Sequence, residues 1–301
     1  MKKRGFYSLL FLGILAFTIV FLSWCSGQKD TETWFKRVLI TNDDGIDSPG
    51  LIELAQAFSK VAETYVVAPD QNKSGSGDYM SVMSKGRIKI EKRDLGEGIK
   101  AYAVDGFPAD CVVVAIRGIM KETPPDLVIS GINTGANLDW AWIGSGTVGA
   151  ARIATFAGIP AIAASGVDDD IPGALKAASE WVVRLAQSSL IQELDDNQYL
   201  TVDIPNVFPS EIKGVRVTQR AGLRPLFGFE REYDSEEGEE STQELWRMTE
   251  LGRAKGTLPD DSDLALYRAG YIVIVPMKAD EHDYDQLPKL KQNLSLIPPY
   301  K

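Results

Sequence analysis

From residue 38 onward the chain alternates short apolar runs with longer amphipathic stretches. Val38-Leu39-Ile40-Thr41, Tyr65-Val66-Val67-Ala68, Asp126-Leu127-Val128-Ile129-Ser130 and the runs at 161–165, 200–203 and 271–276 are nearly continuous in apolar residues. Continuous rather than alternating hydrophobicity is what a strand buried on both faces requires. Between the first two runs, Leu51, Leu54, Ala55, Phe58 and Val61 recur at helical spacing. Ser48 suits the N-cap of that helix and Pro49 its first position, where a missing N–H costs nothing. Further helices are predicted over about 147–158 and 172–192, and short strands near 87–91 and 100–104. Pro108 can open a helix with Val112, Val113 and Ile116 facing inward, although the β-branched run 112–114 suits a strand equally well.

This alternation predicts an α/β fold: a Rossmann-like, mostly parallel sheet with helices on both faces. No internal repeat is visible. Beyond Pro205 the pattern changes. The run 215–218 is strand-like, and 227–251 contains the acidic stretch Asp234-Ser235-Glu236-Glu237-Gly238-Glu239-Glu240. We read the region of about 215–258 as a projecting β-hairpin arm whose acidic tip is a solvated loop. The domain is expected to cover 37–285, with 286–301 as a tail.

The N-terminus departs from this pattern. Lys2, Lys3 and Arg4 precede an almost unbroken apolar run over 6–22, the layout of an export signal. Leu22-Ser23-Trp24-Cys25 resembles a bacterial lipoprotein cleavage site with Cys25 as the lipidated residue, Trp24 standing where a small residue is usual. The alternative is an uncleaved anchor, since the run is near membrane-spanning length. Residues 1–25 are thus excluded from the fold and 26–36 read as a polar tether. The expectation is an exported protein attached to the membrane on the periplasmic side.

Composition then narrows the chemistry. With 301 residues, 44% hydrophobic and 25% charged, the chain has the balance of a globular protein. A net charge of −10 argues against long nucleic acid as a partner but leaves a small phosphorylated substrate open. One histidine, His282, and two cysteines, Cys25 and Cys111, argue against zinc and against a His-dependent nucleophile. Carboxylates, hydroxyls and amides remain.

Those groups collect where strands end. Asp43 and Asp44 follow the first strand. In an extended strand their side chains would point to opposite faces, but past its carboxyl end both can converge on one hard cation such as Mg²⁺, Mn²⁺ or Ca²⁺. In an open parallel sheet the loops after strands form the ligand crevice. Ser74 and the Ser130-Gly131-Ile132-Asn133 segment occupy equivalent positions. Two carboxylates, a hydroxyl and an amide carbonyl make a reasonable shell for Mg²⁺ or Mn²⁺. Gly144-Ser145-Gly146-Thr147-Val148 opens a helix, where free N–H groups and the positive helix end favour a phosphate. A plain Ser or Thr cap is the simpler alternative for that segment. Asn137 lies four residues beyond Asn133 and can donate to the same phosphate.

Five segments in order carry a resemblance: Ile40-Thr41-Asn42-Asp43-Asp44-Gly45; Val67-Ala68-Pro69-Asp70 with Lys73-Ser74-Gly75; Gly106-Phe107-Pro108-Ala109-Asp110-Cys111-Val112; Ser130-Gly131-Ile132-Asn133; and Ser145-Gly146-Thr147-Val148. Together they closely resemble the SurE family of survival-protein nucleotidases over about 38–276. The resemblance implies a metal-dependent phosphatase acting on nucleoside 5′-monophosphates, with 3′-monophosphates also in range. It also implies a single Mg²⁺ or Mn²⁺ and an arm used to build a homodimer or homotetramer. It places the metal ligands on Asp43, Asp44, Ser74 and Asn133, with catalysis on the aspartates. The phosphate segment falls on Asn137, Ser145, Gly146 and Thr147. By itself it implies a cytoplasmic protein, in contrast to the leader. Two segments differ from the family pattern: Gly75-Ser76-Gly77-Asp78 replaces a more hydroxyl-rich loop, and Asp261-Ser262-Asp263 stands in place of Gly-Thr-Asp.

Overall fold

Strand β1 (Arg37–Thr41) is followed by α1 (Pro49–Phe58), β2 (Glu63–Pro69) and a single turn, α2 (Val82–Lys85). Then come β3 (Ile90–Arg93), β4 (Ile99–Val104) and α3 (Pro108–Val114), which runs on as a π turn over Ala115–Ile119. Next are β5 (Leu127–Asn133), α4 (Gly146–Phe156), β6 (Ala161–Ser165), α5 (Ala174–Ala186), α6 (Ser189–Gln192) and β7 (Gln198–Asp203). The remaining elements are β8 (Val215–Val217), β9 (Leu226–Glu232), β10 (Leu245–Gly252), α7 (Asp263–Arg268), β11 (Ile272–Lys278) and α8 (Gln286–Gln292). This computed structural model describes residues 33–223, 226–232, 244–252 and 257–292. Contacts divide the chain after Trp34, and the account below concerns the unit that begins at Phe35. The export segment, Cys25 and the acidic arm tip lie outside the described residues. Among those described, no helix is long and apolar enough to cross a membrane.

The sheet has nine strands in the order β3-β4-β2-β1-β5-β6-β7-β11-β8. From β4 to β7 all neighbours are parallel, while β3 and β11 run antiparallel to β4 and β7. The mostly parallel α/β architecture is therefore as the pattern predicts. Val38, Leu39 and Ile40 are fully buried because helices cover both faces. On one face Leu39, Val67 and Val128 pack with Val112 of α3 and with Val148 and Ala151 of α4. On the other, α1 buries Leu51, Leu54, Ala55 and Phe58. Ser48 caps α1 by accepting the Leu51 N–H, with Pro49 in the first turn.

Chain order reverses about β1. The path leaves it for β2 and β4 on one side, then crosses back to β5, β6 and β7 on the other. Helices flanking such a switch point diverge, opening a crevice at the strands' carboxyl ends. The Asp43-Asp44 pair sits at that opening.

Several elements differ from the expectation. The segment after Pro108 is a helix. Asp110 accepts the Phe107 N–H and, from the same carboxylate, the Ser81 and Val82 N–H groups, which outweighs the strand preference of the valines. The helix expected over 172–192 is broken: the Ser188 hydroxyl turns back to the Leu185 carbonyl and an extended Ser188 starts a separate turn. The strand expected over 87–91 is shifted to β3, its register set by pairing Ile90 with Val104 and Arg93 with Ala101. Helices α7 and α8 were not expected. The β9–β10 hairpin forms its own two-stranded sheet, whereas β8 joins the main sheet beside β11.

Candidate active site

The turn after β1 is built by Asn42, a fully buried residue. Its side-chain amide donates to the Gly45 carbonyl and the Ser48 hydroxyl, and its carbonyl accepts the Gly45 N–H. The turn holds the next two side chains at the crevice. The Asp43 carbonyl accepts the Lys73 N–H at 2.7 Å, which brings the Ser74 loop to β1. The Asp44 Oδ2 accepts the Thr134 N–H at 3.2 Å, which brings the end of β5 and Asn133 to it. Two hydrogen bonds thus join the three loops at one sheet edge.

Helix α4 closes the site from a fourth direction. The Thr147 hydroxyl donates to Asp43 Oδ1 at 2.6 Å, and Ser145 caps the helix by accepting the Val148 N–H. A Cβ on Gly146 would lie 2.8 Å from the Asp43 Cβ and 2.5 Å from the Ser76 Oγ. Only glycine lets the helix start approach this closely. The Gly146 and Thr147 N–H groups have no acceptor one turn back, and among the described residues none is supplied. They are available to an anion.

The four residues expected to ligate a metal share a feature. Asp43 Oδ2, Asp44 Oδ1, Ser74 Oγ and Asn133 Oδ1 each lack a hydrogen bond among the described residues, although their neighbouring atoms are engaged. No lysine or arginine there pairs with either aspartate. Burial, and then the adjacent Asp43 carboxylate, push the Asp44 carboxyl above its usual range; Asp168 adds to this, while the Thr134 N–H opposes it. A hard divalent cation fits such a set, because it supplies the missing positive charge and prefers oxygen donors. Among the described residues no three His, Cys, Asp or Glu side chains form a metal cluster. The set therefore depends on its hydroxyl and amide oxygens.

Asn137 is placed differently from its expected companions Ser145, Gly146 and Thr147. Its N–H is accepted by Asp203, its carbonyl takes a hydrogen bond from Arg220, and its amide donates to the Ser165 hydroxyl. Its backbone N–H and one of its two amide N–H groups thus belong to a buried network that sequence reasoning missed. Arg220 lies between Asp203 at 3.8 Å and Asp263 at 3.0 Å, and also donates to the Thr201 hydroxyl. Asp263 accepts the Asp139 and Ala221 N–H groups, and Asp139 accepts that of Leu223. Burial pushes the Asp203 carboxyl up to about 6, against the pull of Arg220 and the Asn137 N–H. One signal was present in the sequence: Asp203 ends an apolar strand, as Asp43 follows one. Cys111 is a free, fully buried thiol whose pKa burial raises further, and it takes no part in the site.

The fold and this oxygen-rich crevice define an α/β protein of the phosphate-handling class. Residues 38–224 match the family described as "Survival protein SurE". The chain is 34% identical over 274 residues to 5′-nucleotidase SurE 1 of Burkholderia lata, covering 89% of this chain and all of that one. It is also similar to the crystal structure of the SurE protein from Aquifex aeolicus, with a TM-score of 0.71 and 29% identity over 86% of this chain and 99% of that one. The chain belongs to the SurE family.

Proposed function

We propose that this protein hydrolyses phosphate monoesters, with nucleoside 5′-monophosphates as the principal substrates and 3′-monophosphates as secondary ones, in dependence on one Mg²⁺ or Mn²⁺. The observation that carries this is the set of four uncommitted oxygens on Asp43, Asp44, Ser74 and Asn133 beside the free N–H groups of α4. The relative named 5′-nucleotidase and the family membership support the substrate class. A divalent cation, when bound, supplies positive charge toward a phosphoryl oxygen and lowers the pKa of a water.

The chain's own residues do the rest. Gly146 and Thr147 present backbone N–H groups, and the positive end of α4 faces charge that grows on the phosphoryl oxygens. Thr147 fixes the Asp43 carboxylate through Oδ1, leaving Oδ2 for the cation. The neighbouring aspartates also argue against direct carboxylate attack, which leaves water as the nucleophile.

The test is a panel of 5′- and 3′-mononucleotides with Mg²⁺, Mn²⁺ or chelator. Phosphate release that appears with the metal and vanishes with chelator is expected, fastest on 5′-monophosphates. Binding of nucleotide without release under any metal would replace the enzyme with a binding protein.

The leader supports attachment to the membrane on the periplasmic side through Cys25. Mass spectrometry of the mature N-terminus is expected to find an acylated Cys25; an intact Met1 would refute lipidation.

A further inference from the structure

The loop Gly75-Ser76-Gly77-Asp78 is glycine-rich, and an ion pair ties its end to α4. Asp78 forms an ion pair with Arg152, which projects from α4 and is only 14% exposed. The same guanidinium pairs with Glu281 and lies over the Trp142 ring, 5.7 Å from its centroid. Trp142 belongs to the short 3-10 turn Ala141–Ile143 that runs into Ser145. The loop lies along α4 from its start: Gly77 donates to the Gly144 carbonyl, and a Cβ on Gly149 would stand 2.4 Å from the Gly77 oxygen and 2.5 Å from Asp78 Oδ1. Arg152 therefore touches both segments that flank the crevice, the Ser74 loop and the turn before the phosphate helix.

We propose that Arg152 is a positioning residue: through Asp78 it holds the Ser74 loop against α4, and so keeps the Ser74 hydroxyl where the aspartates can share a cation with it. This rests on the reading of Ser74 as a metal ligand. The loop makes few local hydrogen bonds, Ser74 N–H to the Asn72 side chain and Tyr79 N–H to the Ser76 carbonyl, so contacts with neighbouring segments set its position. Arginine suits the task because its planar fork serves two carboxylates at once while stacking on an aromatic face; lysine offers a single point charge. Glu281 is the outer partner, 65% exposed, and lies in the segment after β11.

The experiment is titration of the purified full-length protein with Mn²⁺, following free Mn²⁺ by electron paramagnetic resonance, together with hydrogen exchange of the 74–78 amides. Arg152→Met and Asp78→Asn are each expected to weaken Mn²⁺ binding by about 10-fold or more, the range for groups that orient metal ligands. Arg152→Lys should recover part of it, and Glu281→Gln should leave it unchanged. Exchange at 74–78 should accelerate in the first two variants without metal. Wild-type Mn²⁺ affinity in a folded Arg152→Met protein overturns the proposal, as does an effect of Glu281→Gln equal to that of Asp78→Asn. If Arg152→Met does not fold, Asp78→Asn carries the test, since Asp78 lies in a surface loop. If the wild type binds no Mn²⁺ but the exchange results hold, the metal assignment fails while the anchoring of the loop stands. Unchanged exchange refutes the anchoring itself.

Discussion

Asp44→Asn is expected to reduce phosphate release from nucleoside 5′-monophosphates by about 10³-fold or more, the equivalent of several kcal/mol of transition-state stabilisation. The fold should survive. An asparagine carbonyl can still accept the Thr134 N–H that Asp44 Oδ2 accepts at 3.2 Å. Removing one of two adjacent carboxylates also relieves the repulsion that, with burial, raises the Asp44 pKa. Without metal the variant should therefore melt at or slightly above the wild-type temperature, and added Mn²⁺ should stabilise it far less. Turnover with and without Mn²⁺, beside thermal melts, checks both halves. Retained activity would remove Asp44 from the site, and trapping of a phosphorylated aspartate would replace water attack with carboxylate attack.

Arg220→Met should give the largest loss of stability, about 3–5 kcal/mol at neutral pH, or roughly 10 °C in melting temperature for a domain of this size. Arg220 is 13% exposed, and its partners Asp203 and Asp263 are 1% and 0% exposed. Methionine fills the stem's volume but leaves two buried carboxylates facing each other. The pH dependence follows from Asp203, whose carboxyl is held near 6 in the folded protein, above its value in an unfolded chain. Between those values the folded state holds a proton that the unfolded state has lost, so this group's contribution to stability falls as pH rises through about 6. Losing Arg220 raises the Asp203 pKa further and extends the fall to higher pH. The deficit of the variant should therefore be larger at pH 8 than at pH 5 in chemical denaturation. A deficit independent of pH would show that losing Arg220 does not raise the Asp203 pKa.

The network around Arg220 also shows where sequence reading reached its limit. Asp203, Arg220 and Asp263 come from separate segments of the chain, and only Asp203, at the end of an apolar strand, carries a local sign of burial. They meet because β7 ends beside the root of the β9–β10 hairpin, where Gln219 bridges to Ser262. The family resemblance, and its place four residues after Asn133, group Asn137 with Ser145 to Thr147. The structure turns it toward Asp203 and Ser165 instead, because the loop after β5 crosses the ends of β6 and β7 before reaching α4. The break between α5 and α6 was equally hidden, since a hydroxyl turning back on Leu185 leaves no trace in the apolar period.

The strands, the two-sided burial of the sheet and the collection of oxygen donors at strand ends were legible from the sequence, because each follows from local pattern: unbroken apolar runs, caps, and polar residues where a pleat ends. Asp43, Asp44, Ser74 and Asn133 needed only that logic and the recurrence of family motifs to be grouped. Tertiary structure decided which of their oxygens stay free, that Thr147 holds Asp43 while Ser145 serves as a cap, and that Arg152 pairs with Asp78 at the end of the Ser74 loop. Those facts depend on which surfaces meet across the sheet edge, and contacts between distant segments are set by packing rather than by any periodicity within them.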